Sequence, residues 1–300
     1  MSIEKMKAQI STQDGFIAAL DQSGGSTPGA LRQYGIEPES YSGDEAMYKL
    51  MHEMRVRIIK SPAFTGEKVI GAILFERTMD GDVDGKPVPS YLWEDRGVVP
   101  FLKMDKGLEA ANDSVQLMKP MPGLDELLAR AVKLGVYGTK MRSVIAGASK
   151  TGVREIVAQQ FEVARQIAKH GLMPIIEPEV SIKSETKGEA EVQLRDELIK
   201  QLDKMSDGKV MLKLTLPDEA DLYEVLTKHE RIERVVALSG GYKLDDACEK
   251  LSANHGIIAS FSRALIDGLR KDMPDEEFDA ALSTAIFRIY EASATKVELL

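Results

Sequence analysis

The sequence predicts an α/β chain folded as one (β/α)8 TIM barrel spanning residues 1–300. Three observations predict it. Short apolar runs alternate with stretches of helical periodicity, eight times in succession, as expected of parallel strands buried on both faces. Nearly every run begins apolar and ends polar, which in a closed barrel gathers the polar ends at one mouth. No G-x-G-x-x-G follows the first run, so the rival architecture, an open doubly wound sheet, lacks its dinucleotide fingerprint. A length of 300 residues suits a single barrel. No linker, low-complexity segment or repeat beyond the βα alternation divides it.

The elements follow in order. Residues 2–10 read as a short amphipathic helix. The first strand, 16–21, ends on Asp21, and a Gly/Ser loop, Gln22 to Ser26, follows. Ser42-Gly-Asp-Glu45 has the pattern of a capping box. It opens a helix with Met47, Leu50, Met51, Met54 and Ile58 on one side. The second strand is 69–75. Residues 79–97, rich in Gly, Asp and Pro, read as a long loop. The third strand is 99–105, and a helix with Leu124, Leu127, Leu128 and Ala131 on one side leads to the fourth, 136–142. Residues 151–169 give the clearest helix, with Val153, Ile156, Val157, Phe161, Ala164 and Ile167 sharing a face.

Gly171 stops that helix, and the fifth strand is 173–179. Residues 181–192 read as a polar loop, followed by a helix near 191–205. The sixth strand, 209–216, carries Lys213 in its middle. A helix at 218–228 precedes the seventh run, 234–241. Cys248 shares a helical face with Leu244, Ala247 and Leu251 and reads as core. The eighth strand lies in 256–263, and 264–300 reads as helices.

Composition narrows the function. A net charge of −9 argues against a general nucleic-acid surface, since a phosphate backbone needs a basic footprint. A local basic pocket for a small anion remains compatible with it. The single cysteine suits a reducing cytoplasm. The amino terminus has no apolar signal core, and no stretch approaches the roughly 20 apolar residues that cross a bilayer. Four histidines, His52, His170, His229 and His255, fall in or near helices or before a strand, never at a strand's carboxyl end. With no H-x-x-x-H or C-x-x-C spacing, a metal site is not expected.

The strand ends carry the chemistry. They are Asp21, Lys103 with Asp105, Lys140 with Arg142, Glu177 with Glu179, Lys213, Ser239, and Ser260 with Arg263. The three charged pairs are spaced i, i+2, so each projects from one side of its strand. Buried pairs contribute little net stability, so a set this dense reads as a site. A lysine in a strand core pairs with a carboxylate, reaches a wet cavity or gives up its proton. A desolvated amine is a nucleophile for a carbonyl carbon. Ser239-Gly240-Gly241 and Ser260-Phe261-Ser262-Arg263 follow the last two strands, where barrels often bind phosphate. The loop from Ser23 to Ser26 offers similar backbone N–H groups. Two anion sites at one mouth suggest a substrate phosphorylated at both ends.

These residues resemble class I fructose-bisphosphate aldolase, the metal-independent, Schiff-base-forming type. The resemblance runs from Ala19-Leu-Asp-Gln-Ser-Gly-Gly-Ser26, through Leu102-Lys-Met-Asp-Lys-Gly107, Lys140-Met-Arg142, Pro174-Ile-Ile-Glu-Pro-Glu179, Met211-Leu-Lys213 and Leu238-Ser-Gly-Gly241, to Ser260-Phe-Ser-Arg-Ala264. It implies a cytoplasmic lyase of glycolysis that cleaves fructose 1,6-bisphosphate without a cofactor. Lys213 would form the iminium, and Glu177 would be its general acid/base. Asp21 and Lys140 would stand beside the cleaved bond, with Glu179 next to the acid. Ser26, Lys103 and Arg142 would bind one phosphate; Ser239, Gly240, Gly241, Ser260 and Arg263 would bind the other. A homo-oligomer is the family's usual state. Two departures stand out. The familiar Lys-Pro-Asn or Lys-Pro-Ser after the lysine is Lys213-Leu-Thr215 here, and the first loop reads Asp-Gln-Ser for Asp-Glu-Ser. The chain ends without the terminal tyrosine of longer relatives; its last is Tyr290, inside a predicted helix. The alternatives are a tagatose-bisphosphate aldolase, a transaldolase-like enzyme, or a barrel that binds sugar phosphate without turnover.

Overall fold

The computed structural model describes residues 3–298. Eight parallel strands follow one another around a barrel: β1 (Phe16–Leu20), β2 (Val69–Leu74), β3 (Val99–Lys103), β4 (Gly138–Ile145), β5 (Met173–Val180), β6 (Val210–Thr215), β7 (Ile232–Leu238) and β8 (Ile257–Ala259). Each pairs with its neighbour in chain order. Closure between β8 and β1 rests on the Ala19 N–H donating to the Phe261 carbonyl at 3.1 Å. Each of the eight runs expected as strands overlaps one of these strands; β4 and β5 continue past the expected ends at 142 and 179, and β7 begins at Ile232, before the expected 234.

The barrel interior has its own apolar cluster: Ile17, Ile70, Ile73, Val99, Phe101, Tyr137, Ile175, Met211, Val236 and Ile258. Phe101 meets Tyr137 edge to face, with ring centroids 5.5 Å apart. Gly138 makes room for this pair. A Cβ there would stand 2.9 Å from the Phe101 ring and 2.3 Å from the Met173 carbonyl. The helix Ile3–Thr12 turns its apolar side, Met6 and Ile10, into the same cluster. Gln9 ties it down by donating to the carbonyls of Ile70 and Gly97, at 2.9 and 2.7 Å. Arg234 donates to the carbonyls of Ser11 and Gln13. The amino-terminal helix is thus a plug under the barrel. The helix expected at 2–10 is this one; residue 2 lies outside the described residues.

A second, larger core lies between the strands and the outer helices. Helix Lys150–Lys169 buries the expected face, Val153 through Ile167. Apolar residues facing two sides explain why the strands read as continuous apolar runs.

Several local expectations change. Residues 79–97 hold a small hairpin, Asp82–Val83 with Lys86–Pro87, and a helix, Val88–Arg96. Prolines open that helix, where a missing N–H costs nothing, and Gly97 closes it at φ +67°. Those residues read as loop punctuation in sequence. Helix Lys187–Leu202 starts within the expected 181–192 loop. It does so because Lys187 is buried against Glu191 and Asp218, at 2.6 and 2.8 Å. The helix expected at 218–228 shrinks to Glu224–Thr227. Asp221 interrupts it with φ +62° and turns its carboxylate to the backbone and ring of His255. Ser42 caps helix Gly43–Lys60 by position, yet its side chain makes no capping bond. Cys248 is half-buried. The region after 264 splits into Arg263–Ile266 and Asp275–Ala294, the latter containing Tyr290. Among the described residues, no helix is long and apolar enough to cross a membrane.

Candidate active site

At the carboxyl ends of the strands the barrel interior turns from apolar to charged and opens into a cavity of about 970 Å³. Asp21, Ser26, Lys103, Lys140, Arg142, Glu177, Glu179, Lys213, Ser239, Gly240, Ser260 and Arg263 all line it. Gly241 stands just outside this lining, where a Cβ would lie 3.3 Å from the Arg263 guanidinium. Gly240 and Gly241 adopt φ +61° and +117°, conformations that side chains resist. A Cβ on Gly240 would also press on Ile182 at 2.7 Å.

Strand register brings the charges together. Lys103 pairs with Lys140 across β3 and β4, and Arg142 with Glu177 across β4 and β5. Lys140 Nζ lies 2.6 Å from Asp21 Oδ2. It also lies 2.8 Å from Glu177 Oε2, an ionic contact off the hydrogen-bonding direction. The other oxygen of Glu177 stands 3.2 Å from Lys213 Nζ. Lys213 is only 4% exposed and Glu177 3%. One buried carboxylate therefore sits between two buried amines, with a second carboxylate, Asp21, on the far side of Lys140.

Nearer the rim, Lys103 Nζ bonds Asp105 Oδ1 at 2.8 Å, and the Arg142 guanidinium pairs with Glu179. Asp105 also accepts from the backbone N–H groups of Gly107 and Arg142, at 3.3 and 3.2 Å. The Ser260 hydroxyl is buried with no hydrogen-bond partner among the described residues.

These contacts set the charges. Burial would raise the Asp21 carboxyl, but Lys140, Lys213 and Lys103 outweigh it and hold the group well below the usual carboxylate range. Burial would lower the Lys140 amine; Asp21, Glu177 and Asp105 push it above its ordinary value instead. Lys140 thus holds its proton more firmly than an ordinary lysine. Asp105 is likewise held low, because Lys140 and Lys103 overcome its desolvation. Burial works against Arg142 as well, and Glu179 more than offsets it. Among the described residues, no group of three or more His, Cys, Asp or Glu side chains is placed to hold a metal ion.

Sequence reasoning missed several residues here. It named Asp105 as a strand end but gave it no site role. It gave no role to Gln22 or Lys106, which also line the cavity, as does Ser262 of the loop read as suited to phosphate. Behind the lining, Arg55, 1% exposed, donates to Thr78 Oγ1 at 2.8 Å and to the carbonyl of Gln22, supporting the first loop from beneath. Gln160, fully buried, accepts the Glu177 N–H at 2.9 Å. A signal existed for both. Arg55 shares a face with Met51, Met54 and Ile58, and Gln160 continues the stripe of Val153, Ile156 and Val157.

Known proteins resemble this chain across its length. The family model described as fructose-bisphosphate aldolase class-I matches residues 3–220. A class 1 fructose-bisphosphate aldolase of Synechocystis sp. is 54% identical over 294 residues, 98% of this chain and 97% of the relative. The protein of that name from Clostridium acetobutylicum is 54% identical over 97% of this chain and 99% of its own length. That from Porphyromonas gingivalis is 53% identical over 95% and 97%. Among solved structures, a fructose-bisphosphate aldolase of Plasmodium falciparum superposes with a TM-score of 0.81, covering 99% of this chain and 96% of that one, at 19% identity. At that identity the likeness concerns the fold.

Proposed function

The chain belongs to the class I fructose-bisphosphate aldolases, lyases of glycolysis, and from that premise we propose that Lys213 is the amine that binds the substrate ketone covalently. The observation that carries this reading is the buried 3.2 Å contact between Lys213 Nζ and Glu177 Oε1 at the floor of the cavity. Nucleophile and acid/base are within reach of each other before any substrate arrives.

The buried pair supports the following course for the reaction. Glu177 first takes a proton from Lys213, 3.2 Å away; the freed amine adds to the C2 carbonyl of fructose 1,6-bisphosphate, and passage of a proton from its nitrogen to the new alkoxide gives a carbinolamine. Glu177 protonates the departing hydroxyl, water leaves, and a cationic iminium forms. Glu177, now a carboxylate, accepts the proton of the C4 hydroxyl. The C3–C4 bond breaks, its electrons pass into the iminium, and glyceraldehyde 3-phosphate departs. Protonation of the resulting enamine at C3 and hydrolysis release dihydroxyacetone phosphate and restore Lys213. Asp21 and the fixed cation Lys140 keep the surroundings of Glu177 charged and ordered, and Glu179 anchors Arg142.

The rim supplies the phosphate contacts. Ser26, Lys103 and Arg142 take one phosphate. Ser239, Gly240, Gly241, Ser260 and Arg263 take the other, with the Arg263 guanidinium beside the Gly240-Gly241 turn. Holding both ends keeps the chain in a cleavable pose. The single cysteine and the glycolytic family support a cytoplasmic location.

Borohydride added with substrate should trap one adduct per chain, located by mass spectrometry of the peptide containing Lys213. An adduct elsewhere, or none with activity intact, overturns the assignment.

A further inference from the structure

The wall of the site has a break in it. β5 pairs with β4 along eight residues, from Gly138↔Met173 to Ile145↔Val180. Its pairing with β6 is confined to Ile175↔Met211 and Ile176↔Leu212. Glu177, the next residue on β5, sends its N–H to the side chain of Gln160, on the helix outside the barrel, at 2.9 Å. Pro178 has no N–H to offer. Beyond the break the two strands are rejoined by a side chain, Thr215 Oγ1 donating to the Val180 carbonyl at 2.7 Å. Glu177 and Lys213 face each other across this interruption, so the ladder that normally fixes two neighbouring strands does not fix them.

Gln160 does that work from behind. It is fully buried, and both ends of its amide are engaged: Oε1 accepts from Glu177, and Nε2 donates to Ser143 Oγ on β4 at 2.9 Å. Ser143 is itself fully buried and lies opposite Pro178 in the register. A buried amide costs several kcal/mol if unpaired and is tolerated only when satisfied. Here it is satisfied by the backbone of the acid/base and by the adjoining strand. A rotation of Gln160 would strand two buried polar groups at once, so the amide has one favoured orientation.

We infer that Gln160 is a positioning residue for the reaction: through the Glu177 N–H and Ser143 it sets where the Glu177 carboxylate stands relative to Lys213. This rests on the roles proposed above for Glu177 and Lys213. Gln160 touches no reacting atom. Its effect falls on iminium formation and dehydration, steps that need the acid in place, and not on the phosphate contacts at the rim.

Three variants test it. Gln160→Leu removes both contacts with little change of volume. Ser143→Ala loosens one end of the amide. Gln160→Glu, while protonated, reproduces both contacts, with its carbonyl accepting and its hydroxyl donating; once ionised, it places a second carboxylate behind Glu177. We expect Gln160→Leu to lose at least tenfold in kcat with KM within about threefold, and to trap more slowly with borohydride. Ser143→Ala should show the same pattern, more weakly. Gln160→Glu should approach wild-type turnover at low pH and fall away as pH rises, with its ratio to wild-type kcat decreasing across that range. Competitive inhibition by inorganic phosphate should be unchanged in all three.

Unchanged kcat in Gln160→Leu, or kcat falling only as far as the trappable fraction of chains, overturns the inference. Should Gln160→Leu not fold, Ser143→Ala and Gln160→Glu decide: wild-type kcat in the first together with a wild-type pH profile in the second overturns it. Trapping of the parent protein at Lys213 separates the two claims. Failure there removes the proposed chemistry, whereas success there with indifferent variants removes only the role of Gln160.

Discussion

The two ends of the barrel interior use the same strands for opposite purposes. At the amino-terminal end Ile17, Ile73, Phe101, Ile175 and Met211 pack together and are sealed by Met6 and Ile10 of the amino-terminal helix. Two residues further along three of those strands stand Lys103, Glu177 and Lys213, and four residues past Ile17 stands Asp21, all lining the open cavity. The difference teaches where each kind of substitution acts. The lower layer excludes water and contributes transfer free energy. The upper layer spends part of that stability on holding charges close together, since buried ions repay their desolvation poorly.

That division is sharpest for Glu177. Glu177→Gln should lower kcat by roughly 10²–10⁴-fold, the usual range for loss of a general acid or base, while thermal stability moves much less. Steady-state kinetics beside a melting curve checks both, and a loss below tenfold would place the acid elsewhere.

The lower end predicts the reverse. Ile10→Ala removes a fully buried side chain from the plug, and should cost about 2–5 kcal/mol in denaturant unfolding. In the chains that remain folded, kcat should stay within twofold of wild type. A large drop in kcat per folded chain would mean that the plug transmits strain to the mouth.

The smallest effect concerns a lysine at the amino-terminal end of β8. Lys296 Nζ donates to the carbonyls of Leu251, Ile257 and Ala292, at 3.0, 2.7 and 2.9 Å. Burial, reinforced by Arg234, pulls its amine down to about 8. Between about pH 8 and an unfolded value near 10.4, the unfolded chain therefore holds more of this proton than the folded one. Stability from this group then rises with pH across that window. Lys296→Met should remove that rise, a change on the order of 1 kcal/mol after solvent screening. Stability curves of the two proteins at pH 7.5 and 10 give the difference directly. A parallel pair of curves would show that Lys296 keeps its proton.

Much of this was legible in the chain itself. The strands were readable because both of their faces are buried, which leaves unbroken apolar runs such as Val69–Leu74. The mouth was readable because a charged residue terminates such a run only at some cost, as at Lys140 and Glu177. Short elements were not readable. Prolines that open helix Val88–Arg96 are the same residues that mark loops, and only the φ of Gly97 and the packing of Leu92 tell the cases apart. Lys187 looked like loop polarity because its two carboxylate partners are respectively one turn and thirty-one residues away.

The sequence by itself determined the alternation of elements, the choice of a closed parallel barrel, the chemical types assembled at its mouth and the family to which the chain belongs. Only the tertiary structure decided which amine meets which carboxylate: that Glu177 stands between Lys140 and Lys213, and that Asp105 engages Lys103. It also decided that Gln160 and Arg55 support the site from behind. The physical reason is one of range. Burial and periodicity are properties of neighbouring residues along the chain and leave their mark on composition. Ion pairing and buried hydrogen bonds depend on ångström distances between strands and helices far apart in sequence, and strand register and helix packing together set those distances.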